Sequence, residues 1–254
     1  MVVTFGEVLM RLTPPDMQRI RQAHSFQIDF GGAEANTAVS LAQFGVPAKH
    51  ITKLPCNEIG LLCKSELMKY GVDTSGIVMD FAPQARMGLY FYEKGAAQRS
   101  SQVIYDRANS SIANAKLGDF DWDEIFANAS WFHFTGITPA LGDTVAEICE
   151  EACTAARRKG VTVSCDLNYR KKLWTREKAG QVMSRLCRYV DVCIANEEDA
   201  KDVFGIGADG SDITGGRLNF DGYKDVAKKL SDRFGFDKVA ITLRTSISAS
   251  ENNW

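Results

Sequence analysis

From about residue 110 onward, short apolar runs alternate with segments of helical period, and this alternation restricts the possible folds more than any other feature of the chain. The apolar runs are ASWFHFTGI (129–137), VTVSCDLN (161–168), VDVCIAN (190–196) and DKVAITLR (237–244). Between the first two, Val145, Ile148, Cys149, Ala152, Cys153 and Ala156 recur at the steps of one helical face, and the pattern stops at Lys159-Gly160. Further helices are predicted from about Thr175 to Arg188, from Glu197, and from about Tyr223 to Arg233. Strand, helix and strand at this spacing require right-handed crossovers and a parallel sheet covered on both faces.

The first 110 residues follow the plan only in part. MVVTFGEV and AKHITKLP (48–55) read as strands of the same sheet, with helices at about 33–44 and 57–70. HSFQIDFG (24–31) does not fit, nor do RMGLYFYEKG and SQVIYDRA (86–95 and 101–108), which a short KGAAQRS turn joins as a hairpin. These segments are expected to form a small second sheet, a lid, at about 13–31 and 85–108. The whole of 1–254 then forms one α/β domain.

Composition excludes several classes of function. A formal net charge of −2 gives no reason to expect nucleic acid or an anionic membrane. No run approaches the roughly 20 apolar residues needed to span a bilayer, and the start lacks the basic region and cleavage site of a signal peptide. The seven cysteines form no C-x-x-C pair and the three histidines lie far apart, which argues against structural zinc and for buried thiols in the reducing cytoplasm. Gly205-Ile-Gly207-Ala-Asp-Gly210 matches G-x-G-x-x-G, but it follows a helix, whereas the dinucleotide fingerprint follows a strand.

In open parallel sheets, ligands gather outside the carboxyl ends of the strands. Those ends carry Gly136 and Ile137, then Asp166-Leu-Asn168-Tyr-Arg170, then Asn196-Glu-Glu-Asp199, then Thr242-Leu-Arg244. Asn168 and Arg170 lie two apart and would point the same way from an extended strand end, offering an arginine fork to a carboxylate or phosphate. Asn196 and Asp199 share a face at a helix start, a pairing suited either to a hydrated Mg²⁺ or to simple stabilisation by the helix dipole. FGGAEANTAVSLAQFG (30–45) opens a helix with two glycines, yet no Gly-Lys-Ser/Thr follows to make it a P-loop.

Taken together, GGAEANTAVSLAQFG, KLPCNEIG, DLNYRKKLW, NEEDAKDVFG and VAITLR resemble the ribokinase-like (PfkB-type) carbohydrate kinases along the whole chain, and within them the kinases of 2-keto-3-deoxygluconate. The resemblance implies a three-layer α/β sandwich with a mostly parallel central sheet and a β lid, using ATP and Mg²⁺. It implies that the Gly-Gly turn faces sugar: Gly32 gives the backbone close approach, because a side chain there would stand in the ligand's place, and Asn36 bonds its hydroxyls. Tyr90, Tyr105 and Arg107 of the lid are implied to contact the substrate, with Arg107 near its carboxylate, and Ile137 to complete that site. Arg170 is implied as a clamp between substrate and phosphates. Asn168, Asn196, Thr242 and Arg244 fall to the nucleotide, and Asp199 to Mg²⁺ through water.

Three departures accompany the resemblance. N-x-x-E is N-E-E-D here, and the T-L-G strand end is Thr242-Leu-Arg244. The Gly-Ala-Gly-Asp motif that supplies the base is not found in 1–254, so the C-terminal part of the fold is expected to be missing and these residues alone to be inactive. Fructokinase or another sugar kinase is the near alternative, and a non-catalytic sugar-acid-binding protein the distant one. A homo-oligomer through the lid is also expected.

Overall fold

The structure is a computed structural model that describes residues 1–207, 220–243, 245–246 and 252–253. It divides into two compact units, Met1–Asp121 and Trp122–Trp254.

In the first unit β1 (Val2–Phe5) is followed at once by β2 (Leu9–Thr13), then β3 (Gln27–Gly31) and helix α1 (Ala33–Gln43). Next come β4 (Ala48–Ile51), β5 (Lys53–Pro55), α2 (Glu58–Lys69), β6 (Val78–Asp80), β7 (Gly88–Glu93) and β8 (Gln102–Asp106). β1 and β4 pair in parallel, as do β5 and β6. The remaining strands form a four-stranded sheet in the order β3-β2-β7-β8. The 86–108 hairpin is present as antiparallel β7 and β8. Ala35 and Ala38 of α1 and Cys63 and Leu67 of α2 recur at helical steps, and they share a core with Val8, Met10, Leu54 and Ile77. Asn57 caps α2 by accepting from the backbone N–H groups of Ile59 and Gly60, both at 3.1 Å.

Two readings of this unit change. MVVTFGEV is not one strand, because the chain leaves β1 at Phe5, turns through Gly6-Glu7-Val8 and enters the four-stranded sheet as β2. AKHITKLP likewise divides between β4 and β5, which belong to different sheets. In both cases the apolar pattern runs on through the change of partner.

The second unit runs α3 (Trp122–Ile125), β9 (Trp131–Thr135), α4 (Asp143–Arg158), β10 (Thr162–Asp166), α5 (Arg176–Leu186), β11 (Val192–Ala195) and α6 (Glu197–Phe204). It continues with α7 (Phe220–Phe234) and β12 (Lys238–Ile241), and ends in a two-residue pairing of β13 (Thr245–Ser246) with β14 (Asn252–Asn253). β9, β10, β11 and β12 are parallel neighbours in chain order, as the alternation requires. Val145, Ile148, Cys149, Ala152, Cys153 and Ala156 of α4 are all fully buried. Lys159 caps that helix and Gly160 turns the chain at φ 70°, a left-handed conformation that glycine adopts without strain. Gly205 ends α6 in the same way, so the glycine-rich stretch begins as a helix stop, as expected, and its last residue Gly210 lies outside the described residues. Six of the seven cysteines are buried. Among the described residues no group of three or more His, Cys, Asp or Glu is placed to hold a metal, and no helix is long and apolar enough to cross a membrane. Among the described residues, β1 and β4 of the first unit and β9 to β12 of the second are parallel strands alternating with helices, and the four-stranded sheet is separate from them: the expected α/β class.

Candidate active site

Register fixes one face of the four-stranded sheet. Asp29, Arg11, Tyr90 and Tyr105 are successive cross-strand partners on β3, β2, β7 and β8. Two residues along, where side chains return to the same face, Gly31, Leu9 and Gly88 form the next row. A Cβ at Gly88 would lie 3.2 Å from the Cβ of Arg107, which places Arg107 at the end of that row. Arg11 pairs with Asp29 at 2.9 Å and faces Tyr90 across the strands, and the Tyr90 and Tyr105 rings lie 5.8 Å apart. The face is therefore polar and aromatic, and it holds Tyr90, Tyr105 and Arg107 together.

The glycine turn meets this face through Gly31. A Cβ there would stand 3.4 Å from the Asn36 side-chain oxygen and 4.0 Å from the Tyr90 hydroxyl. Gly32 does something different from what was expected. Its backbone is extended, and a Cβ would fall 2.0 Å from the carbonyl oxygen of Glu7. Glycine is needed at 32 because the β1–β2 connection passes against it. The open approach to Asn36 and Tyr90 belongs to its neighbour.

Arg107 is not a free cation. It donates to the Glu7 carboxylate, whose other oxygen accepts from the Ser110 hydroxyl at 2.6 Å. Burial pushes the Glu7 carboxyl up, against the pull of Arg107 and Ser110. The Arg107 side chain is only 15% exposed and lies 5.7 Å from the centre of the Tyr105 ring, so it faces inward along the sheet, away from bulk water. Sequence reasoning missed Glu7, Ser110, Arg11 and Asp29; the one available signal was an acid following glycine in an apolar run.

In the second unit, the carboxyl ends of the four parallel strands lie at one edge of their sheet. Gly136 follows β9, and a Cβ on it would meet the Leu167 carbonyl oxygen at 2.2 Å. Half-buried Ile137 comes next, its N–H bonded to Thr135 Oγ1 at 3.1 Å. Beyond β10 the chain does not stay extended. Asp166 accepts from the backbone N–H of Asn168 at 3.1 Å, and Asn168 has φ 36°. This Asx-type turn removes the alternation by which Asn168 and Arg170 were expected to point the same way. It leaves Arg170 exposed and aims the Tyr169 N–H at Asp199 Oδ1, 3.2 Å away.

Asn196 uses its side-chain oxygen as the N-cap of α6, accepting from the Asp199 N–H at 2.7 Å. Asp199 is 7% exposed, and burial together with the nearby charge of Asp166 pushes its carboxyl up to about 6. Burial raises Asp166 as well, and Arg170 pulls both down. Thr242 follows β12 with its N–H on the Ala195 carbonyl at 2.9 Å. Arg244 lies outside the described residues. Asp166, which the sequence offered only as part of a strand end, is thus the second carboxylate of this edge. Two interacting, largely buried carboxylates beside one arginine suit a cation that carries phosphate.

A family model described as pfkB family carbohydrate kinase matches residues 1–243. The chain is 35% identical over 241 residues to the 2-dehydro-3-deoxygalactonokinase of Haloferax volcanii, covering 95% of this chain and 70% of that protein. It superposes on the crystal structure of 2-dehydro-3-deoxygluconokinase from Thermotoga maritima with a TM-score of 0.92 at 50% identity, over 99% of this chain and 74% of that one. A sugar kinase of Pyrococcus horikoshii solved in complex with ATP aligns with a TM-score of 0.68 at 25% identity, over 81% of this chain and 66% of that one. The chain spans between about half and three quarters of the length of the relatives it matches.

Proposed function

The chain belongs to the pfkB family of carbohydrate kinases, and on that footing we propose that it serves an ATP-dependent kinase of 2-keto-3-deoxygluconate, passing the γ-phosphoryl group to the 6-hydroxyl. The observation that carries the substrate class is Arg107, an enclosed guanidinium in the same sheet row as Gly31 and beside Tyr105. An always-charged fork in such a place suits a carboxylate, to which it can make charge-assisted bonds, whereas a neutral sugar offers it only uncharged oxygens. Relatives named for 2-dehydro-3-deoxy sugar acids support the same class.

In this reading the first unit binds and orients the sugar acid. Arg107 holds the carboxylate, and Tyr90, Tyr105 and Asn36 bond the carbonyl and hydroxyl oxygens. Gly31 leaves the space, and Gly32 keeps the β1–β2 connection in place. The second unit holds the nucleotide: Arg170 and Asn168 clamp phosphate oxygens, with Thr242 and Arg244 at the last strand end. The Asn196 amide oxygen is taken by its helix, so its contribution falls to its NH₂ group. Asp199, with Asp166, fits a hydrated Mg²⁺, whose chemistry is to neutralise charge on the transferring phosphoryl group. The base for the 6-hydroxyl is assigned to no described residue.

The other face of the small sheet carries the row Ile28, Leu12, Phe91 and Ile104, of which Ile28 is 47% and Ile104 44% exposed. We assign the expected homo-oligomer to this face, which would bury that row.

Arg107→Ala in the full-length enzyme tests the substrate class. Losing a charge-assisted bond in an enclosed site costs roughly 2–4 kcal/mol, so kcat/KM on the keto-deoxy sugar acid should fall about 30- to 1,000-fold. Fructose, run in parallel with the galactonate epimer, should lose far less. Equal losses on the acids and on fructose would remove the carboxylate role and leave a sugar kinase of another specificity.

A further inference from the structure

Glu7 lies on the three-residue step between β1 and β2 and is almost wholly buried, yet both its oxygens are engaged across a hundred residues of sequence. Oε1 accepts from Ser110 Oγ, and Oε2 accepts from Arg107 Nη2. The guanidinium it meets is itself enclosed, with a buried Nε that has no hydrogen-bond acceptor among the described residues. Arginine cannot shed its charge to suit such a place. Without a fixed counter-charge, the side chain does better to swing into water than to remain.

We infer that Glu7 is a positioning residue for the proposed reaction: its carboxylate, steadied by Ser110, keeps the Arg107 guanidinium on the polar face before the sugar acid arrives. The inference rests on the sugar-acid reading above and deepens it, because it makes the preference for an acid depend on a residue outside the lid hairpin.

Two effects of Glu7 oppose each other, and their signs differ. As a negative charge it offsets part of Arg107's attraction for an anionic ligand, so removing the charge would tighten binding. As an anchor it spares the ligand the work of recalling a guanidinium from solvent, so removing it would weaken binding. Enclosure decides for the anchor. A side chain only 15% exposed loses most of its hydration in place, and a neutral partner does not compensate a buried charge.

Glu7→Gln keeps the length of the side chain and an oxygen for Arg107 while removing the charge. In the full-length enzyme, KM for the keto-deoxy sugar acid should rise about 10-fold, equivalent to about 1.4 kcal/mol. kcat should stay within about 3-fold and KM for ATP should not move. In an Arg107→Met background, adding Glu7→Gln should cause no further loss, because the positioned group is gone. An unchanged or lower KM for the acid overturns the inference, and so does an equal further loss in the Arg107→Met background. Should Glu7→Gln fail to fold, Ser110→Ala should raise the same KM about 3-fold, and no change there overturns it. The sugar-acid reading fails separately: its mark is a wild-type enzyme without preference for the acid, whereas failure of the Glu7 role alone leaves that preference and the Arg107→Ala loss intact.

Discussion

Gly31 and Gly32 are adjacent, chemically identical, and predicted to fail in opposite ways. A Cβ at Gly32 would lie 2.0 Å from the Glu7 carbonyl oxygen and 3.1 Å from its carbon. That is roughly 1 Å inside the nearest tolerable contact, and the obstacle is main chain rather than a movable side chain. Forcing groups into a packed site costs about 1–3 kcal/mol, and backbone obstruction puts Gly32→Ala at the upper end. For domains of this size about 3 kcal/mol lowers Tm by roughly 6–12 °C. At Gly31 the nearest atom to a new Cβ is the Asn36 side-chain oxygen at 3.4 Å, an ordinary contact with an exposed residue. Gly31→Ala should therefore melt within about 2 °C of wild type, while its methyl occupies the space beside Asn36 and the Tyr90 hydroxyl. Calorimetric titration of Gly31→Ala with the keto-deoxy sugar acid should show affinity reduced at least ~10-fold, about 1.4 kcal/mol. The reasoning fails if Gly32→Ala melts with the wild type, or if Gly31→Ala binds the acid normally.

The carboxylate edge makes a prediction about pH. Asp199 moves from 3.8 to about 6 on folding, so its proton favours the folded state: that contribution is complete below pH 3.8 and is lost as pH rises through 6. At pH 7.5 the ionised group is therefore a burden, and Asp199→Asn should be more stable than wild type by about 1–3 kcal/mol. The advantage should vanish below pH 4 in denaturant titrations, and the Mg²⁺ needed for half-maximal turnover should rise. A variant less stable than wild type at pH 7.5 refutes the account. On the small sheet, Ile28→Asp together with Ile104→Asp should shift sedimentation toward the monomer and leave Tm within about 4 °C; an unchanged mass excludes this face as the contact.

From β9 to β12 the described elements of the second unit are largely legible in the sequence, because the strands are continuous apolar runs and the long helices carry single apolar faces. The six α4 residues that share a helical step are all buried, and the stop at Lys159-Gly160 falls where the left-handed glycine lies. Periodicity fails where partners change without any change of pattern. Phe5, Val8 and Leu9 are all buried, so nothing in their character reveals that one sheet ends at Phe5 and another begins at Leu9. It fails again after β10, where the Asp166 side chain captures the Asn168 N–H and turns the chain. Strand alternation does not extend through residues that obey Asx-turn chemistry instead. At Gly32 the sequence implies close approach of a substrate, whereas the space a side chain would fill is taken by the protein's own Glu7 backbone.

The residues that sequence missed are the ones that explain how the recognised ones work. On the small sheet each arginine of the polar face is held by a carboxylate, Arg11 by Asp29 and Arg107 by Glu7. A cation already paired contributes little long-range attraction but a well-defined direction, so under the proposed function this face would select its anion by geometry. At the strand ends of the second unit the arrangement is reversed. Asp166 raises Asp199, and among the described residues Arg170 is the charge that lowers both. Carboxylates left in mutual repulsion recruit a cation by field and tolerate its water shell, which is how Mg²⁺ is usually held. Under the proposed function, directional capture of a sugar acid and looser capture of a hydrated metal with phosphates would be the two requirements these two arrangements answer.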